Sequence, residues 1–73
     1  MLTESYTIAR LAEAVKTRPS TIRYWVQVGL LRPVDVGQNG YRLFDRTSLV
    51  RTKDIKRLRD ERYTIAEVKE RLG

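Results

Sequence analysis

The chain has 73 residues, no cysteine and no histidine, with a net charge of +6 and an isoelectric point near 10.2. That length bounds it at one small domain spanning 1–73, which buries only about 60% of the surface its unfolded chain would expose. The missing cysteines exclude a disulfide framework or thiolate metal site, and the missing histidines exclude the commonest general base and metal ligand. No apolar run approaches the roughly 20 residues of a membrane span and no secretory pattern opens the chain, so a reduced, cytoplasmic setting is expected.

In chain order, residues 1–6 read as a short lead-in, and Thr7 offers an N-cap hydroxyl. Ile8, Leu11, Ala12 and Val15 then fall at i, i+3, i+4 and i+7, one apolar stripe on a short helix. Lys16-Thr17-Arg18 is a turn. Pro19 suits the first turn of a second helix, about 19–28, where its missing N–H is not needed. Ile22, Trp25, Val26 and Gly29 share one face of that helix, and Ser20, Arg23, Tyr24 and Gln27 share the other. Gly29 is its natural stop, because glycine accepts the left-handed conformation. Two short helices joined by about three residues match a helix-turn-helix.

Leu30 to Pro33 reads as extended, since Pro33 disfavours helix at Arg32. Residues 34–43 then form a hairpin: Val34 and Val36 on one arm, a Gly37-Gln38-Asn39-Gly40 turn, and Tyr41 to Phe44 as the returning strand. A hairpin of this size needs support from the helices, through Leu43 or Phe44. Asp45 or Thr47 caps a third helix with Leu49, Ile55 and Leu58 inward and Thr52 between them. Arg51, Lys53, Lys56, Arg57 and Arg59 occupy its other positions, a charge run that reads as a solvated face. After a break over 60–63, Thr64 and Glu67 have the spacing of a capping box, and Ile65, Val68 and Leu72 face inward on a last helix. The expected fold class is mostly α: a winged helix-turn-helix in the order helix, helix, β-hairpin, helix, helix.

The basic excess is confined to the middle. Lys16 to Arg59 holds 11 Lys and Arg against 3 acids, and arginine outnumbers lysine 11 to 4 over the chain. The guanidinium fork matches phosphates and base edges better than an ammonium does, so the distribution points to a polyanion. In a helix-turn-helix the second helix lies in the major groove, which makes Arg18, Ser20, Arg23, Tyr24 and Gln27 candidate DNA contacts. Tyr41 and Arg42 at the hairpin tip, and Lys56 and Arg59 on the third helix, are candidates for adjacent backbone. Taken singly, Arg23 reads first as a solvated arginine and Tyr24 as a partly buried packing residue; together, beside a basic wing, they gain as DNA contacts. Trp25, three residues after Ile22, reads as core.

The pieces YTIARLAEAV, STIRYWVQVGLL, NGYRLFD and LVRTKDIKRLRDERYTIAEVKERL, in this order, resemble the N-terminal DNA-binding domain of the MerR family of bacterial transcription regulators. The resemblance runs from about Tyr6 to Leu72. It implies DNA-contacting roles for Arg23, Tyr24, Tyr41 and Arg42, a backbone reach for Arg59, and a homodimer on a pseudo-palindromic promoter. Several positions depart from the family pattern. Lys16 and Arg62 stand where glycines are usual, Arg18 where a Ser or Thr cap is usual, and Val26 where an acid is common. Gly73 falls where the family's long dimerisation helix would begin, which leaves a domain of a longer regulator or a small stand-alone member.

The expected function is sequence-specific binding of double-stranded DNA in transcription control, with no cofactor, no metal and no enzymatic activity. Two alternatives compete with it. One is a small architectural or excisionase-like DNA-bending protein. The other is a protein-interaction module using Trp25, Val26 and Val28 as an apolar patch.

Overall fold

The computed structural model describes residues 5–37 and 40–73. Its elements are α1 (Ile8–Ala14), α2 (Pro19–Gln27), β1 (Asp35–Val36), β2 (Arg42–Leu43), α3 (Arg46–Asp60) and α4 (Ile65–Leu72), the predicted order. β1 and β2 pair antiparallel, with Asp35 opposite Leu43 and Val36 opposite Arg42. Gln38 and Asn39 of the predicted hairpin turn, and residues 1–4 of the lead-in, lie outside the described residues.

Three of the four helices start at a side-chain cap. The Thr7 hydroxyl accepts the Arg10 N–H at 3.2 Å. Asp45 rather than Thr47 caps α3, its carboxylate accepting the Ser48 N–H at 2.9 Å. In α4 the Thr64 N–H donates to Glu67 at 2.9 Å and the Glu67 N–H donates to the Thr64 hydroxyl at 3.1 Å, the complete capping box. α2 is the exception. Arg18 takes the extended N-cap conformation before Pro19 but supplies no capping hydrogen bond.

α1, α2 and α3 also end alike. Each closes with a pair of N–H donors reaching back into its last turn: Thr17 to Ala12 and Lys16 to Glu13, Leu30 to Trp25 and Gly29 to Val26, Tyr63 to Leu58 and Arg62 to Arg59. This closure needs a left-handed residue just past the helix. Gly29 meets that need at φ 89°, whereas Lys16 and Arg62 adopt φ 57° and 71° with a side chain attached.

The core joins Leu11, Ile22, Leu30, Phe44, Ile55 and Val68, each 1% exposed or less. Trp25 is 3% exposed, and Val26 and Val28 pack against the same cluster. Of the apolar patch that a protein-interaction reading uses, Trp25 therefore lies inside the fold and Val26 and Val28 are half-buried. Two expectations need correction. Tyr6 is not lead-in: it is buried and forms a β-bridge with Phe44, each N–H donating to the other carbonyl at 2.8 Å. An extended segment needs a distant partner to be recognised, and no local pattern announces one. Arg51 is not part of a solvated face. Its Nε donates to the Leu30 carbonyl at 2.6 Å and its Nη1 to the Leu72 carbonyl at 3.3 Å. It thereby ties the segment after α2 to the end of α4.

Replacing Arg51 by Met leaves those carbonyls without their donor and should cost about 1–3 kcal/mol. Arg57→Met, on an exposed pair with Glu61 at 3.5 Å, should stay within about 0.5 kcal/mol. Chemical denaturation of both variants checks the contrast. A second expectation concerns acid. The Thr64 backbone N–H first, then the Thr64 hydroxyl, and the Arg71 charge hold the Glu67 carboxyl below its ordinary value of 4.5. A carboxyl lowered by folding adds stability above its unfolded pKa and loses it as pH falls through the folded one. Glu67→Gln keeps the hydrogen-bonding shape without the titration. Thermal melts should show the wild type losing stability relative to Glu67→Gln as pH drops below 4.5, and parallel curves would remove this role from the Glu67 carboxylate.

Candidate nucleic-acid interface

α2 is amphipathic because its apolar residues recur at helical spacing. Ile22 and Trp25 turn inward, while Ser20, Arg23, Tyr24 and Gln27 are exposed. Tyr24 is 48% exposed, so about half of its surface is open to solvent on that face. A cleft lies on each side of the N-terminal half of this helix. The wing-side cleft, about 670 Å³, brings Arg23 and Pro19 of α2 to the start of α1 and to Gly40, Tyr41 and Arg42 of the hairpin. The α3-side cleft, about 400 Å³, brings Ser20, Thr21 and Tyr24 to Lys56, Arg59 and Asp60.

Seven of the nine sequence candidates are thus collected into two clefts around one helix. Arg18 and Gln27 line neither. They are exposed at the two ends of α2, Arg18 at its N-cap and Gln27 at its last residue. Backbone N–H groups at a helix N-terminus favour an anion, and in α2 no side chain caps them.

The two clefts differ in how their cations are held. The side chains of Arg23 and Arg42 on the wing side, like that of Arg18, make no hydrogen bond or ion pair with another described residue. On the α3 side, Lys56 reaches both carboxylate oxygens of Asp60 at 2.8 Å. Arg59 donates to the Tyr63 carbonyl at 2.6 Å. Asp60 is the residue that sequence reasoning passed over, although its i+4 spacing from Lys56 announces the pair. Thr17 and Thr21 add hydroxyls to the same cleft. Among the described residues no cluster of acids could hold a metal ion, and no helix is long and apolar enough to cross a membrane. The surface offers guanidinium, ammonium and hydroxyl donors in quantity, the chemistry of polyanion contact.

The family described as MerR HTH family regulatory protein matches residues 6–73. The chain belongs to the MerR family. It is that family's helix-turn-helix domain, the DNA-binding part of transcription regulators. It is 29% identical over 68 residues to the mercuric resistance operon regulatory protein of Bacillus cereus, covering 93% of this chain and 52% of that protein. The solved structure of a MerR family transcriptional regulator from Bacillus cereus superposes with a TM-score of 0.86 at 20% identity, over 94% of this chain and 52% of the other. HiNmlR, a MerR family regulator lacking the sensor domain and solved bound to promoter DNA, superposes at 0.81 with 25% identity, over 92% of this chain and 51% of the other. The chain spans about half the length of these relatives.

In this MerR domain Asp60 sets a carboxylate among the donors of the α3-side cleft. Asp60→Asn removes that charge and frees the Lys56 ammonium. Where Lys56 meets a phosphate, it no longer has to leave Asp60 first and no carboxylate is left to repel the backbone, so the variant should bind duplex DNA several-fold more tightly. Fluorescence-anisotropy titrations measure this, and an unchanged affinity would mean that Lys56 and Asp60 stay clear of the DNA.

Proposed function

We propose that this chain reads double-stranded DNA with α2 in the major groove and controls transcription in the cytoplasm as a homodimer on a pseudo-palindromic promoter. The observation that carries the reading is the convergence of two donor-rich clefts on the N-terminal half of α2. A major-groove helix contacts base edges through that half and leaves its flanks to the phosphates. Ser20, Arg23, Tyr24 and Gln27 then stand toward the bases. Arg23 has the fork to pair with guanine O6 and N7. The Tyr24 ring has the area to rest on a thymine methyl or a sugar, with its hydroxyl donating to phosphate.

The wing extends the contact along the duplex. Tyr41 is 65% exposed, and with Arg42 it lines the wing-side cleft facing α2. From there the pair reaches backbone adjacent to the groove that α2 occupies, or the neighbouring minor groove. Arg18, Lys56 and Arg59 fix the register through phosphates. The promoter-bound relative with the same fold supports DNA as the partner. A domain this small has a small interface, and two copies on two half-sites gain affinity through linkage.

Random-site selection followed by titration, with Arg23→Ala and Arg42→Ala beside the wild type, tests the assignment. Arg23→Ala should cost about 1–3 kcal/mol on the selected site and relax discrimination at one base position. Arg42→Ala should weaken binding to every sequence alike and flatten the salt slope by about 1. Selection of no site, with salt-sensitive binding intact, would point instead to an architectural DNA binder.

A further inference from the structure

Lys16 and Arg62 occupy the two strained backbone positions among the described non-glycine residues. Both sit one residue past a helix C-cap, in the closure that α2 makes with Gly29. A side chain in the left-handed region crowds its own backbone, and glycine does not. A residue held in such a conformation is a reason to look for a function.

The chain offers no internal use for either charge. Both side chains are exposed, and neither makes a hydrogen bond or ion pair with another described residue. A cation near a helix C-terminus is favoured by the helix dipole. That benefit does not require the left-handed position, and α3 already has Arg57 and Arg59 in its last turn. The explanation has more force for α1, whose last turn carries no basic residue.

The ends of α1 and α3 are neighbours. Ala14 and Val15 line one shallow cleft together with Asp60 and Glu61, so Lys16 and Arg62 follow residues that already face each other. Thr17, next to Lys16, and Asp60, two before Arg62, both line the α3-side cleft beside α2. Two unpaired cations therefore stand next to the cleft whose own cations are tied to Asp60 and to the Tyr63 carbonyl.

We propose that Lys16 and Arg62 are phosphate contacts on the α3 side of the recognition helix, kept at left-handed positions for their charge. This rests on the DNA-binding reading above and adds two residues to it. In that arrangement the free cations at the helix ends supply the attraction that Asp60 subtracts from the cleft.

The test pairs stability with affinity in the full chain, using Lys16→Gly and Arg62→Gly and, as a second set, Lys16→Asn and Arg62→Asn. Asparagine also tolerates the left-handed region and removes the charge without adding glycine's freedom. Thermal melts should rise by a few degrees in the glycine variants as strain is relieved. Titration of duplex DNA across a salt series should show weaker binding, with a slope shallower by about 0.9 for each residue replaced, and the asparagine variants should match. Three results would overturn the proposal: an unchanged slope, a lower melting temperature in the glycine variants, which would assign the cations to the helix ends, or asparagine variants that keep the wild-type slope. A wild type that binds no duplex at low salt would instead sink the DNA reading itself, and this proposal with it.

Discussion

The placement of wing against helices depends on one doubly hydrogen-bonded pair. Tyr6 and Phe44 exchange both backbone bonds, and Phe44 is completely buried. The paired strands of the hairpin are only two residues each, too short to hold themselves. The bridge gives the returning arm a third segment to lie against. It also sits one residue before two helix caps, Thr7 of α1 and Asp45 of α3. One local contact therefore sets where α1 starts, where α3 starts and where the wing leaves the core. α2 is then located by α1, whose Leu11 and Ala12 share the core with Ile22 and Trp25. The wing-side cleft is the space left between these fixed parts.

Capping divides the helices by use. α1, α3 and α4 satisfy an N-terminal donor with their own Thr or Asp, each such bond contributing about 1 kcal/mol. α2 begins at Arg18 and Pro19 with no capping side chain. Proline removes one of the unsatisfied donors, the Thr21 N–H bonds the Arg18 carbonyl at 3.0 Å, and the Ser20 N–H remains open to an outside acceptor. On the proposed reading that acceptor is a phosphate, with the Arg18 charge beside it. The helix that gives up a cap is thus the one that approaches the polyanion, as expected when local stability is traded for a contact made only in the complex.

Much of this fold is legible in the sequence because its signals are local. The α1 and α2 stripes follow a period of 3.6, Pro19 and Gly29 bracket the second helix, and the Thr64–Glu67 spacing is a capping box. The exposure of Arg23, Tyr24, Tyr41 and Arg42 follows from which face the apolar residues take. Two of the misses, Tyr6 and Arg51, share one physical cause, a partner distant in sequence that leaves no local trace. Tyr6 is structural only because Phe44 returns to it. Arg51 looks like any arginine in a basic helix, and its acceptors are backbone carbonyls 21 residues away on either side. The grouping of Arg23 with the wing, and of Tyr24 with Lys56 and Arg59, requires the packing of α3 against the helical pair. The left-handed closures at Lys16 and Arg62 are hidden for the opposite reason. The geometry is local, but the usual marker, glycine, is absent.

The unequal state of the cations has an energetic consequence for the proposed complex. Arg23 and Arg42 need surrender only water and side-chain freedom to meet DNA. Lys56 and Arg59 must first release Asp60 and the Tyr63 carbonyl. An exposed i,i+4 pair is worth about 0.3–0.5 kcal/mol, so the Lys56 exchange is a small hindrance, while the Asp60 carboxylate that stays behind repels phosphate directly. The wing side therefore carries the larger share of the attraction, and the α3 side gains from any further positive charge placed near it. Lys16 and Arg62 have that sign and adjoin that cleft. Their strained backbones are then the other half of one balance, in which conformational energy at two helix ends offsets an acid that the α3 helix retains for its own ion pair.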